Sequence, residues 1–144
     1  MDVESVIDTL ERHARRLAQT SATYKRSVRS EGRIHTLGVV PVNPRARAIW
    51  VTGQQWLGVS VGEIGGAWEF DYTDDAIREA QQIIEAVIAG RVVERISLGR
   101  SEVTVALNDG VEVTEVGYVA PWGFLPMPGW TRRARVIAYE SYGV

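Results

Sequence analysis

Between Ala67 and Gly90 an alternating aromatic strand runs directly into a capped amphipathic helix, and a chain that holds such a unit must also supply a sheet to bury it. Trp68, Phe70 and Tyr72 alternate with Ala67, Glu69 and Asp71, so one strand face is apolar and the other mostly acidic. Thr73 stands at the N-cap position, with Asp74 and Asp75 in the first turn, where negative charge meets the positive end of the helix dipole. Tyr72 is placed to fold onto Ile77 as a hydrophobic staple. Ile77, Ala80, Ile83, Ile84, Val87 and Ile88 form the helical stripe, and Gly90 is positioned to end it in the left-handed conformation.

The rest of the chain supplies strands on both sides of this unit. Val3, Val6, Ile7, Leu10, Ala14, Leu17 and Ala18 recur at helical spacing and predict an N-terminal surface helix. Tyr24 and Val28 could prolong that pattern, while Thr20, Ser21 and Thr23 weaken it, and a break is expected near Ser30 to Gly32. From Ile34 the period becomes that of strands, up to Pro41 and the Asn43-Pro44 turn signal, and Ala48 to Thr52 makes a second strand. A two-residue turn at Gly65-Gly66 would set Val61 opposite Phe70 and Val59 opposite Tyr72, giving one shared apolar face. After the helix come strands at Val92 to Leu98 and Glu102 to Leu107. A three-residue hairpin loop at Asn108-Asp109-Gly110 then pairs Leu107 with Val111 and Val105 with Val113. The parity change to Val116 and Tyr118 predicts a bulge near Glu115, and a last strand is expected over Arg132 to Tyr139. The order α-ββββ-α-ββββ with short turns means one α+β domain over residues 1–144. It has antiparallel meander sheets, an N-terminal helix and a central helix.

At 144 residues such a domain buries about two-thirds of its unfolded surface without needing a disulfide or metal. The chain has no cysteine, so thiol redox chemistry and thiolate metal sites are excluded. Residues 1–19 carry charges throughout and do not read as a signal peptide. No apolar run approaches the roughly 20 residues that span a bilayer, so a soluble cytoplasmic protein without membrane contact is expected. The net charge of −2 conceals a gradient. Met1 to Arg47 holds nine Lys or Arg against five Asp or Glu, a balance of +4, which leaves −6 for the remainder. Arg12, Arg15, Arg16, Lys25, Arg26, Arg29 and Arg33 would therefore be the footprint of any nucleic-acid partner, although a solvated helix face explains them as well.

Residues that carry chemistry are sparse. His13 and His35 have no ligand-spaced company, so neither a metal nor a cofactor is expected. No serine sits in a nucleophile-elbow setting. Gly62, Gly65 and Gly66 fall within a hairpin and not before a helix, so they form no phosphate loop. Glu69 and Asp71 point the same way from one strand, about 7 Å apart, and could act as paired acids in a pocket between sheet and helix. A hydrated outer sheet face is the preferred reading of them, because alternating exposed charges are the norm on half-buried sheets, and Glu94 and Glu112 are read in the same way. The segment from Pro121 to Trp130 is richer in Pro, Gly and aromatic residues than any other. Trp122, Phe124, Met127 and Trp130 would there either plug the core or offer anchors to a protein partner.

The stretch Trp68-Glu69-Phe70-Asp71-Tyr72, the helix closing at Ala89-Gly90, the Asn108-Asp109-Gly110 hairpin and the Pro128-Gly129-Trp130 turn together resemble small actinobacterial immunity-type proteins of polymorphic toxin systems. The resemblance covers about the C-terminal half of the chain. It implies an intracellular, non-enzymatic binder that occludes the active site of a secreted toxin domain. On that expectation Trp122, Phe124, Met127 and Trp130 serve as buried anchors, while Asp71, Asp74 and Asp75 steer a basic partner.

Overall fold

The structure, a computed structural model, describes residues 1–64, 66–119 and 129–143. Asp2 caps the first helix, α1 (Val3–Ala18), by accepting from the Ser5 amide at 3.2 Å, and Val6, Ile7, Leu10, Ala14 and Ala18 form its buried stripe. A 3-10 turn at Gln19–Ser21 follows, then β1 (Ala22–Arg29), β2 (Ile34–Pro41), β3 (Ile49–Gly53), β4 (Leu57–Ser60) and β5 (Trp68–Phe70). These five strands form an antiparallel sheet in sequence order, hereafter the first sheet. The central helix, α2 (Asp74–Ile88), leads into β6 (Val92–Ser97), β7 (Arg100–Ala106) and β8 (Glu112–Tyr118). A short helix, α3 (Trp130–Arg133), precedes β9 (Arg135–Ala138). The class is α+β with antiparallel sheets, as the pattern required.

α1 lies on the inner face of the first sheet, with Val3 and Ile7 directly above Gly53, where a Cβ would sit 2.7 Å from Val3 Cγ1. α2 packs on α1, β5 and β7. Leu37, Val39, Ile49, Val51, Leu57 and Val59 from the first sheet join Val92, Val103 and Val105 from the second, and both helix stripes, in one hydrophobic core. Among the described residues no helix is long and apolar enough to cross a membrane.

Five expectations need correction. Residues 22–29 form a strand and not a helical extension. Arg26 occupies an inward position on β1, where it binds Asp8 at 2.8 Å and Glu11 at 3.2 Å on α1, so the strand lacks an apolar alternation. The break at Ser30 to Gly32 is therefore the β1–β2 turn, with φ of 54°, 57° and 85°. In the β4–β5 pair, Leu57 faces Phe70 and Val59 faces Trp68. That register keeps the predicted shared face but is offset by four residues, which is incompatible with a two-residue turn at Gly65-Gly66; Gly65 itself lies outside the described residues. The β7–β8 register runs unbroken from Arg100↔Tyr118 to Ala106↔Glu112, so no bulge occurs and Val116 and Tyr118 lie on the outer face. Finally, the second sheet has the order β8-β7-β6-β9, a Greek key and not a meander, because the last strand returns to pair with β6. That last strand begins at Arg135, with Trp130–Arg133 in a helical turn before it.

Candidate functional site

With α1 on the inner face of the first sheet, its outer face carries the residues of opposite parity. One cross-strand row reads Lys25, Gly38, Trp50 and Ser60, and the next reads Ser27, Thr36, Thr52, Gly58 and Glu69. Trp50 is 42% exposed and Trp56, in the β3–β4 turn, is 52% exposed. The six-membered ring of Trp50 sits over Gly38. A Cβ at Gly38 would collide with ring atom Cζ3 and come within 2.8 Å of Cη2, so only glycine leaves the indole this seat. Between the two tryptophans runs a groove of about 270 Å³ over Thr52, Gly58 and Ser60, closed on its far side by Ala67 and Glu69. No sequence signal marks it, because Trp50 reads as one residue of a strand and Trp56 as part of a turn.

Among the described residues expected to act together, Trp130 and the acidic residues do not share a surface. Trp130 is only 5% exposed; its indole N–H donates to the Ser97 carbonyl at 3.2 Å, and the Arg100 guanidinium stacks 4.4 Å above its ring. It plugs the sheet at the start of β7. Asp74 and Asp75 occupy the exposed first turn of α2, Asp75 bonding Arg78 at 2.9 Å and lining a shallow depression with Leu107, Asp109 and Val111 at the other end of β7. Seven strand residues separate these ends by roughly 20 Å. Asp71 is exposed between β5 and α2. Trp122, Phe124 and Met127 lie outside the described residues. Glu69 lines the tryptophan groove, whereas Asp71 stands beyond the end of its strand.

The basic N-terminal residues are likewise divided. Arg15 pairs with Glu11 at 2.9 Å and stacks 4.2 Å from the Tyr24 ring, Arg26 bridges Asp8 and Glu11, and Arg33 sits 4.0 Å from Glu31. These three each have a nearby acid, which weakens at their positions the field a phosphate backbone would need. Among the described residues no group of three or more His, Asp or Glu side chains is arranged to hold a metal ion.

Glu94 corrects the reading of a hydrated outer face. It has no exposed surface and accepts from the Tyr139 hydroxyl at 2.6 Å, from the Glu63 amide at 2.7 Å and from the Ser101 hydroxyl. Arg47 holds the same loop by donating to the Val61 carbonyl at 2.5 Å, and its guanidinium lies 5.7 Å from the Tyr139 ring. Burial, reinforced by the bond to Glu94, pushes the Tyr139 phenol well above its ordinary pKa. The loop also presses onto the second sheet, where a Cβ on Gly66 would lie 2.9 Å from the Val116 backbone. This cluster ties Val61 and Glu63, which follow β4 of the first sheet, to β6, β7 and the segment after β9. Its carboxyl, enclosed on all sides, touches no solvent-borne molecule and acts as a joint. The sequence did carry its signal, a charge at an inward position of an alternating strand.

Compared with known proteins, the chain matches no protein-family model, no curated protein and no solved structure.

Proposed function

We propose that this chain is a non-enzymatic protein-binding module of immunity type, acting in the cytoplasm, whose docking surface is the outer face of the first sheet around Trp50 and Trp56. The observation that carries this reading is the pair of exposed tryptophans bracketing a groove on a sheet face opposite α1. Tryptophan offers a large rigid contact area at small entropic cost and dominates binding hot spots. The seat on Gly38 holds Trp50 in place before any partner arrives, which lowers the ordering cost of association. An inhibitor that occludes a toxin needs a rigid, shape-determined surface and no reacting group, and a sheet pinned from behind by α1 meets that need.

The test is a titration of the purified chain against the toxin-like polypeptide encoded beside its gene, together with a growth assay in which both are expressed. A tight complex and restored growth are expected, with Trp56→Ala weakening binding about 10-fold or more. Absence of a complex, or full affinity in Trp56→Ala, would overturn the assignment.

A further inference from the structure

We infer that the groove between Trp50 and Trp56 receives an arginine side chain of the partner protein. This rests on the reading of the same face as a protein-docking surface and names what it recognises. The groove is lined by two indoles, Trp50 and Trp56, and one carboxylate, Glu69, and among the described residues no lysine or arginine lines it. Indole faces attract cations through their quadrupole, and a carboxylate beside them supplies the charge that selects a cation over a neutral apolar group. Of the cationic side chains, guanidinium is planar and weakly hydrated, so it stacks on indole more readily than a compact ammonium does. At about 270 Å³ the groove falls below the range typical of cofactor and small-molecule pockets, about 300–1,000 Å³, and suits a single long side chain. Thr52 and Ser60 on the floor offer hydroxyl oxygens that can accept from the guanidinium nitrogens. Lys25 shares the face, but the Trp50 ring over Gly38 stands between it and the groove.

Gly58 makes the inference testable without disturbing the core. A Cβ there would meet only Ala67 Cβ and the Thr52 carbonyl, both at 3.8 Å, so a β-branched residue fits the strand while its methyl groups fill the groove. The probe is the tripeptide acetyl-Gly-Arg-Gly-amide, followed through the indole resonances of the 15N-labelled protein, with the citrulline tripeptide as the uncharged control. The arginine peptide should shift the Trp50 and Trp56 signals, and added salt should reduce the effect. Glu69→Gln should weaken binding about two- to fivefold, and Gly58→Val should abolish it. Equal shifts with citrulline, or no shift with arginine, would overturn the inference. With the intact partner, loss of affinity in Gly58→Val but full affinity in Glu69→Gln keeps the face as a docking surface and overturns the arginine. Full affinity in both variants overturns the docking surface itself.

Discussion

The Tyr139 hydroxyl donates a 2.6 Å hydrogen bond to Oε1 of Glu94, a carboxyl without exposed surface whose Oε2 accepts from the Glu63 amide at 2.7 Å. Three donors thus converge on one side chain from three separate segments. Removing the acceptor leaves the buried Ser101 hydroxyl and two half-buried donors without partners, which costs far more than the pairs contribute net. Glu94→Ala should therefore destabilise the fold by about 3 kcal/mol or more, whereas Glu94→Gln, which keeps an acceptor oxygen for Tyr139, should cost about 1–2 kcal/mol. Urea unfolding measures both. A midpoint for Glu94→Ala equal to that of the parent would show that the joint contributes nothing.

Leu98 has φ of 38° and Gly99 has φ of 75°, so both central residues of the β6–β7 turn lie in left-handed space, the geometry that fits a two-residue hairpin. Leucine is strained there and the residue is 55% exposed, so little apolar burial compensates. Leu98→Asn should stabilise the protein by about 0.5–1 kcal/mol, read as a higher urea midpoint with an unchanged slope. A lower midpoint would mean that leucine makes contacts worth more than its backbone strain.

Where local chemistry sets the structure, the sequence was a reliable guide. Thr73 caps α2 by accepting from the Ala76 amide at 3.2 Å, Gly90 closes it with φ of 81°, and Val105 faces Val113 across the Asn108-Asp109-Gly110 loop. Where a distant partner decides, it was not. β1 is a strand because β2 pairs with it, and its inward Arg26 is explained only by Asp8 and Glu11 on α1. Between β4 and β5 the backbones of Val61, Glu63 and Gly66 are claimed by Arg47, Glu94 and Ser60, none of which the Gly65-Gly66 signal reveals. Pairing of β9 with β6 brings Tyr139 to Glu94, a partnership across 45 positions of sequence. The groove escaped for a related reason: Trp50, Gly58 and Glu69 meet only once three strands are in register.

Gly38→Ala should separate the seat of Trp50 from the stability of the sheet. The new Cβ collides with the ring, but the ring is on the surface and can swing into solvent, so the sheet survives at a cost of about 1 kcal/mol. The freed indole should be quenched more strongly by acrylamide, and partner affinity should fall because the anchor is no longer pre-positioned. Unchanged quenching would show that the ring does not depend on the glycine beneath it.

His13 gives the fold a pH response of predictable sign. Arg16 donates to His13 Nδ1 at 3.0 Å, so the neutral ring is the form that fits, and a proton on Nδ1 would break this bond and set two cations together. Partial burial, and then the Arg16 charge, hold the imidazole below its ordinary pKa, with Gln81 and Glu85 on α2 opposing. In the unfolded chain the ring protonates near its usual value of about 6.5. As pH falls through that value the unfolded state binds more protons than the folded state. The histidine's contribution is therefore present above about pH 6.5 and is lost as pH drops toward the lower folded value. His13→Leu removes the titration, so between pH 7.5 and pH 5.5 the variant should lose less stability than the parent. Parallel declines in the two urea midpoints would show that acid sensitivity in this range arises elsewhere.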